Sequence, residues 1–149
     1  MLGAIPMSIA RTLTLIVLLL LCACSRTPDD QRIRDAIAAM QAAMQDRQPR
    51  EFMRWVADDF TGANGSADRE SLHNVMRAQV LGNARIGVTL GLLDIDVQDQ
   101  RASVRVTATL TGGNGRWIPE RGAIYEITSG WRKSGDDWQC INAQWEQKL

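Results

Sequence analysis

One histidine and a few carboxylates are the side chains of this chain that could move protons. His73 is the only histidine, and imidazole is the group that most readily takes and gives a proton near neutral pH. Asp59, in the pair Asp58-Asp59, is the carboxylate best placed to work with it. It lies seven residues after Phe52 and so falls near the same apolar helical stripe, where burial would raise its pKa and make it a base. A plain reading stands beside each. His73 flanks an apolar helix face and is solvated or bonded to a neighbour; Asp59 bonds amides of the following loop or pairs with Arg69. Asp94 and Asp96 flank Ile95 on one strand face, a spacing that suits a divalent cation or an acid pair. No further oxygen ligand follows at usable spacing, and a solvated strand face explains them as well. Cysteine–histidine metal patterns are absent from the sequence, so neither a metal nor another cofactor is expected.

Other candidates narrow quickly. Tyr125 is the only tyrosine; it lies on a late strand and has no evident acidic companion to act with it as a donor pair. Thr111-Gly112-Gly113-Asn114-Gly115 is glycine-rich, yet it joins strand to strand, whereas a phosphate cradle opens a helix. Of five tryptophans, Trp117, Trp131, Trp138 and Trp145 crowd the C-terminal end. Trp117, between Arg116 and the polar pair Glu120 and Arg121, either lines a recognition surface or folds back on the sheet.

The 149 residues balance 17 Lys+Arg against 17 Asp+Glu, which argues against a basic nucleic-acid binder. At 45% hydrophobic and 23% charged, the chain is globular and of a length for one domain. Its three cysteines are too few for a disulfide framework.

The N-terminal stretch differs in character from the rest. Arg11 is its only charge, followed by an apolar run from Leu13 to Leu21 that is too short to span a bilayer, which takes about 20 residues. A positive start, a short apolar middle and a small-residue end describe a secretory leader. Met7-Ser8-Ile9-Ala10-Arg11 is by itself a compact charged start. The segment Leu21-Cys22-Ala23-Cys24 resembles the bacterial lipoprotein cleavage box, with leucine three before the cysteine and a small residue just before it. That resemblance implies a leader at 1–23, lipid on Cys24, a tether at 24–28 and a domain at 29–149. Ser25 after the cysteine implies sorting to an outer membrane, facing the periplasm. Cys140 is then the one free thiol, best buried in an oxidising compartment.

In the domain, Asp29 or Asp30 can cap a first helix over about 29–46, striped by Ile33, Ile37, Met40 and Met44. Pro49 opens a second, with Phe52, Trp55, Val56 and Phe60 on one face. Thr61 to Gly65 is a turn, and Asp68 or Ser66 caps a third helix striped by Leu72, Val75, Met76 and Val80. Past 84 the period becomes two. Ile86, Val88, Leu90 and Leu92 alternate, and the parity shifts at Leu93, which predicts a bulge or bend. Ala102, Val104, Val106, Ala108 and Leu110 form the clearest half-buried strand. A further hairpin turns at 134–137 into a last strand over 138–146. Three helices and then about four hairpin-connected strands predict α+β with an antiparallel sheet.

The hairpin Trp131-Arg132-Lys133-Ser134-Gly135-Asp136-Asp137-Trp138, with Trp145 beyond it, resembles the C-terminal signature of the nuclear transport factor 2-like superfamily, including its SnoaL-like branch. So does Val56-Ala57-Asp58-Asp59-Phe60-Thr61-Gly62 followed by Asp68-Arg69-Glu70-Ser71-Leu72. The likeness covers about 29–147 and implies a cone: a strongly bent sheet around three helices with an internal pocket. Members include isomerases, dehydratases, hydrolases and non-catalytic binding domains, so the likeness leaves function open. Expected pocket residues are Trp55, Phe60, Met76, Val80, Val104, Val106 and Tyr125. Two readings follow. One is an anchored, non-catalytic domain that binds a small apolar ligand or an envelope protein. The other is an isomerase, dehydratase or hydrolase with Asp59 and His73 as acid and base. The outer sheet face could pair two copies, as in many members of the superfamily, and nucleic acid is not an expected partner.

Overall fold

A computed structural model describes residues 27–114 and 121–149. The leader, Cys22, Cys24 and Trp117 with its neighbours Arg116 and Glu120 lie outside the described residues.

Helix α1 spans Asp29–Gln45. Pro28 occupies the position before it, so neither Asp29 nor Asp30 caps the helix as expected; both sit in its first turn, where carboxylates favour the positive end of the helix dipole. Ile33, Ala36, Ala43 and Met44 are buried, with Ile37 and Met40 packed beside them. At the other end Arg47 takes a left-handed φ of 61°. The Gln48 amide then reaches the Ala43 carbonyl at 2.7 Å and the Arg47 amide reaches Met44 at 3.1 Å, a helix stop usually built on glycine.

Helix α2 covers only Pro49–Met53, and strand β1, Val56–Gly62, follows at once. This corrects the expected long second helix. The apolar residues at 52, 55, 56 and 60 match a helical period, but β1 finds a partner in the C-terminal strand, and tertiary pairing overrides local pattern. Between Val56, opposite Cys140, and Thr61, opposite Asn142, the ladder is irregular and β1 uses more residues than its partner. Val56, Ala57 and Phe60 are thereby buried while Asp58 and Asp59 both stay exposed. Asp59 therefore lies on a strand, not at the end of a helix.

A turn at Ala63–Gly65 and the short β2, Ala67–Asp68, lead into helix α3, Arg69–Gly82. Asp68 is its cap, accepting from the Ser71 amide at 2.8 Å. β3, Arg85–Leu90, and β4, Asp94–Gln98, both pair with β5, Arg101–Gly113, along the same edge. The predicted bend at 92–93 is the break between them. β6, Arg121–Ser134, and β7, Asp137–Gln147, form the long hairpin, turning at Gly135 with φ 65°.

The strand order is β2-β1-β7-β6-β5-β3. All neighbours are antiparallel except β1 and β7, which run parallel. The sheet is thus mixed rather than wholly antiparallel, curved, and not closed into a barrel. A bulge at Ile141 shifts the β6–β7 register, and Asn142 Oδ1 accepts from the Gly130 amide there at 3.0 Å. Helices cover the inner face. The core joins Ile33, Met53, Val56, Phe60, Ala102, Val104, Trp131, Trp138 and Cys140.

One close approach is sequence-specific. A Cβ at Gly62 would lie 2.9 Å from Trp145 Cη2 and 3.1 Å from Phe60 Cε1. Gly62→Ala is expected to cost about 1–3 kcal/mol through this overpacking. Urea unfolding measures it, and an unchanged midpoint would show that Trp145 does not rest on the glycine.

Candidate functional site

Two shallow hollows carry three of the titratable residues singled out in the sequence, His73, Asp94 and Asp96. The first, about 310 Å³, is lined by Asp58, Asp68, Arg69, Glu70 and His73 where β1 meets the start of α3. Arg69 is its fixed point. Its Nη2 donates to the Met53 carbonyl at 3.0 Å, its Nε to the Val56 carbonyl at 3.3 Å, and Asp58 Oδ1 lies 3.6 Å away. The Ser71 amide holds the Asp68 carboxyl below the usual carboxylate range. His73 is half-buried, and its Nε2 is covered without a hydrogen-bond partner among the described residues.

Asp59 is engaged elsewhere. Arg132 of β6 reaches it in a two-pronged ion pair, Nη2 to Oδ1 at 2.8 Å and Nη1 to Oδ2 at 2.9 Å. That guanidinium holds the Asp59 carboxyl below its ordinary range, the opposite of the shift a base working near neutral pH requires. The structure therefore gives Asp59 and His73 different neighbours, and the carboxylates beside His73 are Asp58, Asp68 and Glu70. Arg69 serves Asp58, not Asp59.

The second hollow, about 300 Å³, is lined by Asp94, Asp96, Ser103, Val104, Arg105 and Thr128. Asp94 Oδ2 faces Arg105 Nη1 at 3.5 Å across an exposed pair, a contact of little energetic weight. Among the described residues no group of three or more His, Cys, Asp or Glu side chains could hold a metal ion. Of the expected pocket residues, Phe60, Val104 and Val106 are buried, and Trp55, Met76, Val80 and Tyr125 are half-buried. Only Val104 touches either hollow. Tyr125 donates its hydroxyl to Gln147 Oε1 at 3.4 Å. Cys140 is free and buried, and burial pushes its thiol up to about 12, leaving it inert near neutrality.

No protein-family model matches the sequence, and no curated protein matches it. Solved structures do. The Bdellovibrio bacteriovorus protein Bd1075 superposes with a TM-score of 0.69 at 14% identity; the match covers 78% of this chain and spans 41% of that protein's length. A provisionally named scytalone dehydratase of Novosphingobium aromaticivorans gives 0.69 at 12% identity, over 81% of this chain and 85% of that one. A nuclear transport factor 2-like protein with a cystatin-like fold from the same organism gives 0.66 at 16%, over 98% and 92%. This chain has the nuclear transport factor 2-like, cystatin-like fold. At such identities the fold is what these proteins share.

Within the nuclear transport factor 2-like fold, sequence reasoning missed the tie between Asp29 and the C-terminal hairpin. Lys133 Nζ lies 2.8 and 2.9 Å from the two Asp29 oxygens, and Trp138 Nε1 donates to Oδ1 at 3.1 Å. The hairpin motif was visible, but its partner sits 104 residues earlier than Lys133.

The unpartnered His73 nitrogen has a measurable cost, because a covered polar atom without a partner loses about 1–3 kcal/mol of desolvation. His73→Leu is expected to raise the urea midpoint. A lowered midpoint would show that the imidazole makes a stabilising contact.

Proposed function

We propose that this protein is a lipid-anchored envelope protein of a Gram-negative cell, held by Cys24 at the periplasmic face of the outer membrane, whose domain binds a ligand or partner without catalysis. The observation that carries the non-catalytic reading is the two-pronged Arg132–Asp59 pair. It commits the expected base to an ion pair and keeps it ionised. The anchor is supported by Leu21-Cys22-Ala23-Cys24-Ser25 directly after an apolar leader. Each buried lipid methylene contributes about 0.8 kcal/mol, so several acyl chains on one cysteine retain a domain at a membrane. The proposed occupant is a small apolar ligand or a second envelope protein, and a homodimer is compatible.

A second reading, an isomerase, dehydratase or hydrolase, is favoured by the covered His73 Nε2, unpartnered among the described residues and in a hollow with three carboxylates, and by the likeness to the provisionally named scytalone dehydratase. In that reading His73 would act with its own hollow rather than with Asp59.

Labelling with a clickable fatty acid tests the anchor. The parent is expected to take up label and fractionate with membranes, and Cys24→Ala to lose both. An unlabelled, freely soluble parent overturns the reading. Mass spectrometry of native material from membranes tests the binding role: a co-purifying ligand or partner supports it, and a ligand-free monomer counts against it.

A further inference from the structure

The anchor, if it sits on Cys24, is not attached to an arbitrary point of the domain. Four residues lie between Cys24 and Asp29, and the five backbone steps reach at most about 18 Å at full extension. Asp29 begins α1, and that first turn is bolted to the tip of the β6–β7 hairpin. Besides the Lys133 and Trp138 bonds, Arg32 donates to the Asp136 carbonyl and lies 3.6 Å from the Asp136 carboxylate. The β4–β5 turn belongs to the same end, because the Lys133 amide bonds the Gln100 carbonyl at 3.0 Å. The opposite end lies along the length of β6, at about 3.3 Å per residue roughly 40 Å away before bending. There β3 starts at Arg85 opposite Gly113, α3 ends against Gly112, and the C-terminal Leu149 bonds the Ile124 amide.

The two ends differ in surface. The tethered end exposes Asp30, Asp99, Asp136 and Asp137, with Arg101 exposed and Arg32 and Lys133 half-buried among them. The far end exposes Leu81 at 82%, Leu149 at 77% and Leu110 at 37%.

Resting on the lipid-anchor reading, we propose that the anchored domain stands on its hairpin end. The acidic tip at 134–137 faces the bilayer, and the opposite end, with its exposed apolar residues, is presented to the aqueous compartment. The short tether and the Asp29–Lys133–Trp138 tie together set this polarity.

The full-length, processed protein is labelled at single introduced cysteines, Asp136→Cys at the tethered end or Arg85→Cys at the far end; buried Cys140 does not compete for the dye. Each is reconstituted into vesicles of phosphatidylethanolamine and phosphatidylglycerol carrying a headgroup energy-transfer acceptor. Flotation first reports whether the protein is anchored. Energy transfer is expected to be several-fold higher from position 136 than from 85. Floating protein with equal or reversed transfer overturns the orientation alone. Protein that fails to float overturns the anchor, and the orientation with it.

Discussion

Trp131→Ala is expected to destabilise the domain by about 3–5 kcal/mol, the range for deleting a large aromatic from a packed interior. Trp131 is 2% exposed, in the cluster joining α1, β1, β5 and β7. Its Nε1 donates to Ser129 Oγ at 2.9 Å inside the fold, so the deletion also leaves a covered hydroxyl without that donor. It stands opposite Ala102 on β5 and Cys140 on β7, small residues that cannot close over the space. Urea unfolding followed by circular dichroism gives the change. Trp131→Phe keeps most of the volume and is expected to lose much less. Equal losses in the two variants would show that the ring's bulk is not what matters.

Asp29→Ala is expected to cost about 2 kcal/mol, the scale of hydrogen bonds to a charged group. The effect should also depend on pH. Hydrogen bonds from Lys133 and then Trp138 hold the Asp29 carboxyl below its ordinary range. A carboxylate with a depressed folded pKa contributes stability that is complete above the ordinary aspartate value and is lost as pH falls through the folded one. The gap in melting temperature between the parent and Asp29→Ala should therefore be widest near neutrality and shrink in strong acid. A gap that grows in acid would mean that Asp29 is not the ionised centre of the tie.

What could be read from the residues follows physical lines. α1 and α3 were legible because Ile33 to Met44 and Leu72 to Val80 repeat at helical spacing, and because Asp68 is a good cap. The alternation from Ala102 to Leu110 revealed β5 directly. β1 was hidden because Phe52, Trp55, Val56 and Phe60 also fit a helix, and only pairing with β7 decides against it. The overall architecture came through the hairpin around Trp131 and Trp138 and its likeness to known folds. The site was less legible. Arg132 shows nothing in sequence of its reach to Asp59, since the two lie on strands separated by β7. His73 stood out by type, but its hollow is formed by residues of β1 and the start of α3 that no local pattern joins.

The parallel β1–β7 ladder has a consequence for the order of events in the cell. Val56 and Gly62 find their ladder partners, Cys140 and Ala143, near the end of the chain. Assembly cannot finish while the ribosome is still making the C-terminus, and closing so long a loop before its contacts reward it slows folding. The sheet therefore completes itself only after its last strand, β7, has been made.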